Sequence, residues 1–356
     1  MSVRQILSFI HSSTHPFIPS NCVQHLSQEK TLKAIHKIRA AVIGCGGMGS
    51  HHVKTLAAHP AFDLVAGCDV NPAALGNLPP AAARYADAAE MFEKHKLDLV
   101  SLILPNHLYE PMVALAAAHG ACVFTEKPFG HTLSSCRAMI GALQAAGLRG
   151  WVGAQRKYAA HFREARGLLR DMPLDFVNVV FTYFWGPAFG DPGWRGDRAR
   201  SGGVAVIDSG WHVLDALSWL VGDPDTVVCQ LGYLKSHPDI DDKAAIQFRY
   251  PSGAIGSVVI SYTLPRSAME LTFAAGRRSV YLDYNALVAY SDARETQRIE
   301  AAKDEPIFTA MYDELAMAFG GDESAYVTDL ARAERIMKTV DACYRSAQEG
   351  GAVKSV

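Results

Sequence analysis

The chain is poor in the features that mark several broad classes of protein. Charge bias is nearly absent: 34 Lys and Arg stand against 36 Asp and Glu, a net charge of −2, with no basic block. Binding to nucleic acid or to an anionic membrane through bulk charge is therefore not expected. No uninterrupted apolar run has the length of a bilayer span. The opening Met1–Ile10 is broken by Ser8, runs into His11 and has no small-x-small cleavage site after it, so no signal peptide is expected. The seven cysteines are odd in number and scattered, without a C-x-x-C pair. They read as reduced, small hydrophobic residues of a cytoplasmic protein. The fourteen histidines include no H-E-x-x-H, and His51 and His52, being adjacent, would point about 100° apart on a helix. No metal site is expected. Internal repeats and low-complexity tracts are also missing. Hydrophobic content of 49% over 356 residues is ample for two folded domains.

What is present begins with glycine. Residues 40–49 read Ala-Ala-Val-Ile-Gly-Cys-Gly-Gly-Met-Gly, between a short apolar strand and an apparent helix. Gly44, Gly46 and Gly49 have the dinucleotide-binding spacing: Gly44 for the tight turn, Gly46 for close approach of a pyrophosphate, Gly49 for helix–sheet packing. Cys45, Gly47 and Met48 complete the loop. The next strand ends in Asp69, twenty residues after Gly49, where an acid accepts hydrogen bonds from an adenosine ribose. That carboxylate, followed by Val70-Asn71-Pro72 without an arginine, favours NAD over NADP. Strands and helices alternate from Ile38 to Ala154, which predicts a doubly wound parallel sheet. Ligands then belong beyond the carboxyl ends of the strands, where Asp69, Pro105-Asn106-His107 and Glu126-Lys127-Pro128 fall. Read alone, Glu126-Lys127-Pro128 is more often an ordinary solvated strand exit.

The texture changes near Lys157. Long strands over 175–184, 226–234, 244–250, 254–262, 270–275 and 279–282, with turns at Pro251-Ser252-Gly253 and Gly276-Arg277, predict an antiparallel sheet. Helices are expected at 208–220, 307–319 and 329–346. Asp208 and His212 are four residues apart, so on a helix they share a face and the carboxylate can fix the imidazole tautomer of a proton-transfer base. Asp215 is an equally spaced alternative partner, and a helix-capping acid beside a packed core histidine explains the same pattern.

Several motifs in order carry a resemblance: Gly44–Gly49, Pro105-Asn106, Glu126-Lys127-Pro128, Gly202-Gly203, Asp208-x-Gly210-x-His212-x-x-Asp215 with Trp219, Asp241-Asp242, and Ser261 after Gly253–Gly256. From Ile38 to the C-terminus the chain resembles the Gfo/Idh/MocA family of glucose–fructose oxidoreductase and inositol dehydrogenase relatives. The resemblance implies an α/β protein with a Rossmann domain, residues 37–157, and a C-terminal domain, residues 158–356, with an open, mainly antiparallel sheet. Residues 1–36 are left as a weakly ordered extension. It also implies NAD or NADP as cofactor, a homodimer or homotetramer through the C-terminal sheet, and hydride transfer between nicotinamide and a secondary alcohol or ketone of a sugar, cyclitol or related polyol. Lys127 matches the family's active-site lysine, in a Lys-Pro peptide that is typically cis, and Asp208 and His212 match its catalytic pair. Val70, Pro105, Asn106 and Glu126 join the glycine loop and Asp69 as expected cofactor contacts. The family often has His where Tyr109 stands, and His107 is two positions early. Tyr109, Arg156, Tyr158, Trp194 and Arg195 are the expected substrate contacts. The same residues also suit an NAD-dependent glycoside hydrolase working by transient oxidation, and the fold alone suits a non-catalytic NAD(H)-binding protein.

Overall fold

Six parallel strands form the first sheet: β1 (Ile38–Ile43), β2 (Phe62–Cys68), β3 (Ala83–Tyr85), β4 (Leu99–Leu102), β5 (Cys122–Glu126) and β6 (Gly150–Gly153). The structure is a computed structural model and describes residues 37–184, 192–234, 237–303, 306–322 and 328–356. The expected extension, residues 1–36, lies outside the described residues. The strand order is β3-β2-β1-β4-β5-β6. It reverses between β1 and β4, opening a crevice at their carboxyl ends. The connections carry helices α1 (Gly47–Ala58), α2 (Ala88–Lys94), α3 (Tyr109–Ala118) and α4 (Leu133–Ala145). Asp87 caps α2, and a Thr132/Ser135 capping box starts α4.

The two-residue period of a strand sorts the side chains of this sheet onto two faces. Ala41, Ile43, Val100, Leu102 and Val123 cluster with Val113 of α3 and with Cys136 and Met139 of α4. Ala40, Val42, Leu99 and Phe124 cluster instead with Val53 and Leu56 of α1. That second face is completed from far along the chain by Met311, Tyr312 and Leu315 of a late helix, Ile307–Phe319.

Between them lie α5 (Ala160–Arg170), α6 (Arg198–Ser201) and α7 (Gly210–Val221); the late helix is α8 and Leu330–Gln348 is α9. The second sheet has β7 (Phe176–Thr182), β8 (Thr226–Leu234), β9 (His237–Arg249), β10 (Ile255–Ser261), β11 (Ala268–Ala275), β12 (Arg278–Leu282), β13 (Ala286–Ser291), β14 (Arg294–Glu300) and β15 (Lys354–Ser355). Its order is β14-β13-β12-β11-β7-β10-β9-β8-β15. One face is buried: Val177, Val179 and Phe181 of β7 and Ala244, Ile246 and Phe248 of β9 share a cluster with Val213 and Leu217 of α7. The opposite face leaves Phe176, Ile255, Val259 and Tyr281 exposed.

The α/β class and both sheets are as expected, with four differences besides the short strands β3 and β15, which were not expected. The β7–β10 pair is parallel within the otherwise antiparallel sheet, because β7 enters at its middle from a helix and not from a hairpin. Helix α7 is preceded by a π-turn, Ala205–Ser209, which holds Asp208. The helical run Arg198–Val221 is long and apolar enough to cross a membrane by composition, but 83% of its apolar window is buried, as in a core helix. The fourth difference is the β13–β14 hairpin. Strand β14 reads Arg-Glu-Thr-Gln-Arg-Ile-Glu, too polar to signal a strand, and its turn, Asp292-Ala293, lacks glycine although both residues have positive φ, 51° and 62°.

A β-branch-free but chiral residue at left-handed φ is strained, whereas glycine is not. Ala293→Gly is therefore expected to stabilise the protein by about 0.5–1 kcal/mol, after the entropic cost of glycine. Urea denaturation should show a raised midpoint with unchanged slope.

Candidate functional site

The glycine loop leaves β1 with Gly44 at φ +91°, and a Cβ there would lie 2.1 Å from the carbonyl oxygen of Ile103. A Cβ on Gly49 would lie 1.8 Å from the Gly44 carbonyl oxygen, so only glycine lets α1 sit this close to the strand exit. Nothing comparable crowds Gly46, whose nearest Cβ neighbour would be Ala74 at 3.7 Å. Helix α1 starts without a side-chain cap and without an acid in its first turn. Its free N–H groups and positive end are therefore open to an anion. Asp69 closes the loop's far side, accepting from the N–H groups of Cys45 and Asn71, both at 2.8 Å.

These residues border a cleft of about 360 Å³ lined by Gly44, Gly46, Gly47, Met48, Asp69, Pro105, Asn106, Tyr109, Glu126 and Lys127, and by Trp194, Arg195 and Asp208 from the second half. Uncapped helix end, Cβ-free loop and terminal acid fit a dinucleotide. Three expected cofactor contacts do not line it. The Cys45 side chain is fully buried, its thiol held against the Val42 carbonyl and pushed up to about 12 by burial, so only its backbone serves the loop. Gly49, in the first turn of α1, is packed against the Gly44 carbonyl. Val70 is 88% exposed beyond Asp69. Asn106 lines the cleft, but its amide donates 2.9 Å to the Ser201 carbonyl and so fastens the cleft rim to α6.

A second cavity, of about 390 Å³, is lined by Lys127, Arg156, Phe181, Tyr183, Arg195, Asp208, Ser209, His212, Tyr262 and Tyr284. Lys127, Arg195 and Asp208 border both spaces. Lys127 follows β5, and its bond to Pro128 is cis. Its ammonium lies 2.5 Å from Asp208 Oδ1 and 3.2 Å from the Asp208 carbonyl. Arg195, from the 3₁₀ turn Gly193–Gly196, donates 2.8 Å to Asp208 Oδ2. Burial pushes the Asp208 carboxyl up, but Lys127 and Arg195 overturn this and hold it well below the usual carboxylate range. Asp241 orients the π-turn that carries Asp208 by accepting from the Val204 and Val206 N–H groups at 2.9 and 3.0 Å.

His212 lies in the first turn of α7 and faces the same cavity as Asp208, as their spacing predicts. No hydrogen bond joins them among the described residues, and each Asp208 oxygen instead accepts from a cation. The imidazole is instead pushed well below its ordinary value by loss of hydration and by the Lys127 and Arg156 charges, which outweigh Asp208. The alternative partner, Asp215, is elsewhere: it is buried with Lys157 at 3.3 Å and Arg332 at 3.4 Å.

Of the five expected substrate contacts, Arg156 and Arg195 line the second cavity. Tyr109 and Trp194 line the dinucleotide cleft instead; Tyr109 is 1% exposed, and Arg195 stacks 4.3 Å from the Trp194 ring. Tyr158 is 2% exposed and bonds Glu314 of α8 at 3.1 Å, a core position away from either space. Ser209, Tyr262 and Tyr284 were not legible beforehand. Tyr262 bonds the Ser209 hydroxyl, and Tyr284 receives the Arg156 guanidinium at 3.2 Å and stacks beneath it. The two tyrosines follow β10 and β12, and nothing local distinguishes them from other strand-end aromatics. A buried chain also backs Lys127: Glu126 bonds His52 at 3.1 Å, His52 bonds Tyr312 at 2.9 Å, and Tyr312 bonds Ser101 at 3.1 Å.

Residues 38–154 match the family model GFO_IDH_MocA, described as an oxidoreductase family with an NAD-binding Rossmann fold, and residues 173–279 match that family's C-terminal domain. The D-apiose dehydrogenase of Paraburkholderia graminis is 27% identical over 75% of this chain and 73% of its own length. The inositol 2-dehydrogenase of Ralstonia nicotianae is 30% identical over 55% of this chain and 58% of its own. The crystal structure of an aldose-aldose oxidoreductase from Caulobacter crescentus, complexed with glycerol, superposes with a TM-score of 0.79 at 26% identity, covering 90% of this chain and all of that one.

Because the position beneath Gly49 is filled by backbone, Gly49→Ala must displace the loop. Overpacking of about 1–3 kcal/mol should weaken NADH binding roughly fivefold to 150-fold, read by fluorescence titration.

Proposed function

The chain belongs to the GFO/IDH/MocA family and is an NAD-dependent oxidoreductase of sugars or polyols, and from that premise we propose that Lys127 and His212 jointly handle the reacting hydroxyl of a secondary alcohol. The observation that carries this reading is the placement of Lys127, Asp208 and His212 on one cavity that borders the dinucleotide cleft. The glycine loop, Asp69 and the α1 N-terminus would hold NAD, which would supply the acceptor for the hydrogen and electron pair of the carbinol C–H bond. His212, neutral at pH 7, takes the hydroxyl proton as the carbonyl forms. The Lys127 ammonium donates a hydrogen bond to the same oxygen and stabilises its developing negative charge. Asp208, held between Lys127 and Arg195, acts as a positioning residue for the ammonium, in place of the tautomer-fixing role its spacing suggested. The reverse sequence reduces a ketone.

Residues 37–157 are read as the dinucleotide-binding domain, with α8 from the remaining chain covering one of its faces. A homo-oligomer through the second sheet is supported by Phe176, Ile255, Val259 and Tyr281, which stand exposed on the sheet face that no helix among the described residues covers. A cytoplasmic setting is supported by six free cysteines among the described residues.

Lys127→Met and His212→Ala should each lower kcat by about 10²–10⁴-fold while NADH still binds, measured at 340 nm. Protonating His212 removes the base, and its ionisation is displaced downward. The acid limb of kcat/KM should therefore fall below the 6.5 of free imidazole. Retained activity in either variant, or an acid limb at 6.5 or above, would reassign the base. Light scattering of the full chain should give a dimer or larger; a monomer removes the interface reading.

A further inference from the structure

The second cavity is unusual in its charge. Among the described residues that line it, Lys127, Arg156 and Arg195 are positive and Asp208 alone is negative. Both Asp208 oxygens are already spent, on Lys127 and Arg195. Neighbouring acids are turned away from it. Glu126 bonds His52 and the Lys127 N–H, and Asp241 is satisfied by two backbone N–H groups and the Tyr344 hydroxyl. No carboxylate among the described residues therefore answers Arg156. Its guanidinium is held by the Tyr284 hydroxyl at 3.2 Å and lies 4.5 Å from the centre of that ring, so it is pre-placed. Its Nε is out of solvent with no hydrogen-bond partner. The guanidinium as a whole lines the cavity and is held in place by Tyr284, so an anionic acceptor in the cavity gains a charge-assisted bond. A neutral polyol would leave two positive charges uncompensated in a half-enclosed space.

Resting on the oxidoreductase reading above, we infer that the substrate is a sugar acid, with its carboxylate received by Arg156 and its secondary alcohol presented to Lys127 and His212. The cavity of about 390 Å³ is at the small end of ligand cavities and suits a single sugar ring. The planar guanidinium matches a carboxylate, and a sugar phosphate shares the same charge chemistry, so both are tested. The field of the excess cations is also felt at His212, whose imidazole is pushed down by Lys127 and Arg156 after desolvation.

The test uses the full chain, NAD and matched pairs: D-galactose with D-galacturonate, D-glucose with D-glucuronate, and D-glucose 6-phosphate beside them. Initial rates are read at 340 nm, and binding of each compound to the NADH-loaded protein is read by calorimetry. The acid of a pair should exceed its neutral partner about thirtyfold in kcat/KM, and Arg156→Gln should cut that ratio about thirtyfold, with Arg156→Lys between the two. Taking the ratio within each protein cancels any loss of folded fraction. Equal or better turnover of the neutral sugars, or an unchanged ratio in Arg156→Gln, overturns the inference and leaves the oxidoreductase reading standing. Faster turnover of the phosphate than of the uronates overturns the carboxylate assignment. Uronate binding that needs Arg156 but yields no NADH supports the anion site and overturns the presentation of the uronate's alcohol to Lys127 and His212. Absence of uronate binding overturns the inference.

Discussion

One carboxylate organises the site. Asp208 sits between Lys127, which follows the last strand but one of the first sheet, and Arg195, which rises from the loop region of the second half. A buried carboxylate is unstable as an ion unless cations compensate it, and a buried pair broken on one side costs about 3–5 kcal/mol. The ion cluster thus fixes three things together. It places the ammonium at the border of the two cavities, ties the two halves of the chain at that border, and leaves His212 without a carboxylate partner, hence neutral. An imidazole bonded to Asp208 would have been held charged more readily near neutral pH.

Much of this was legible from residue order. The glycine spacing dictated the turn, the close helix and the open loop, and each glycine's surroundings bear this out, because backbone sterics are local and leave a sequence trace. Strand parity was equally legible. Lys127 was not identifiable from its own neighbours, since Glu-Lys-Pro is short, and it stood out only when several motifs were taken in order. Asp208 and His212 were correctly placed on one space, but the partner of the carboxylate was not. A spacing of four reports a shared face; it does not report which cation arrives from residues 13 and 81 positions away. Tyr262 and Tyr284 were missed for the same reason, as their role arises from where two strands end and not from any pattern around them. Tyr158 and Trp194 show the converse: an aromatic next to an arginine was as compatible with core or cleft as with substrate.

The polar interior follows the same economy as the site. Lys157, Asp215 and Arg332 form a second buried ion cluster, and Lys157 also bonds Thr328. Desolvation drops the Lys157 ammonium to about 8, and Asp215 opposes the shift. Asp215 therefore serves packing between α7, α9 and the turn after β6, a role that its position three residues after His212 concealed.

Tyr312 belongs to α8, almost two hundred residues after β5, yet it closes the hydrogen-bond chain that ends on Glu126, the residue before Lys127. The same helix supplies Met311 and Leu315 to the face formed by Val42, Leu56 and Phe124. The nucleotide-binding half is thus not a detachable cassette. Recombination that exchanged residues 37–157 between relatives would bring a new sheet under an old lid, with mismatched knobs at Tyr312 and an imidazole lacking its hydroxyl. Such chimaeras inherit a workable core only when the crossover carries α8 along, so the lineage of this helix should track that of the first sheet more closely than that of the strands preceding it.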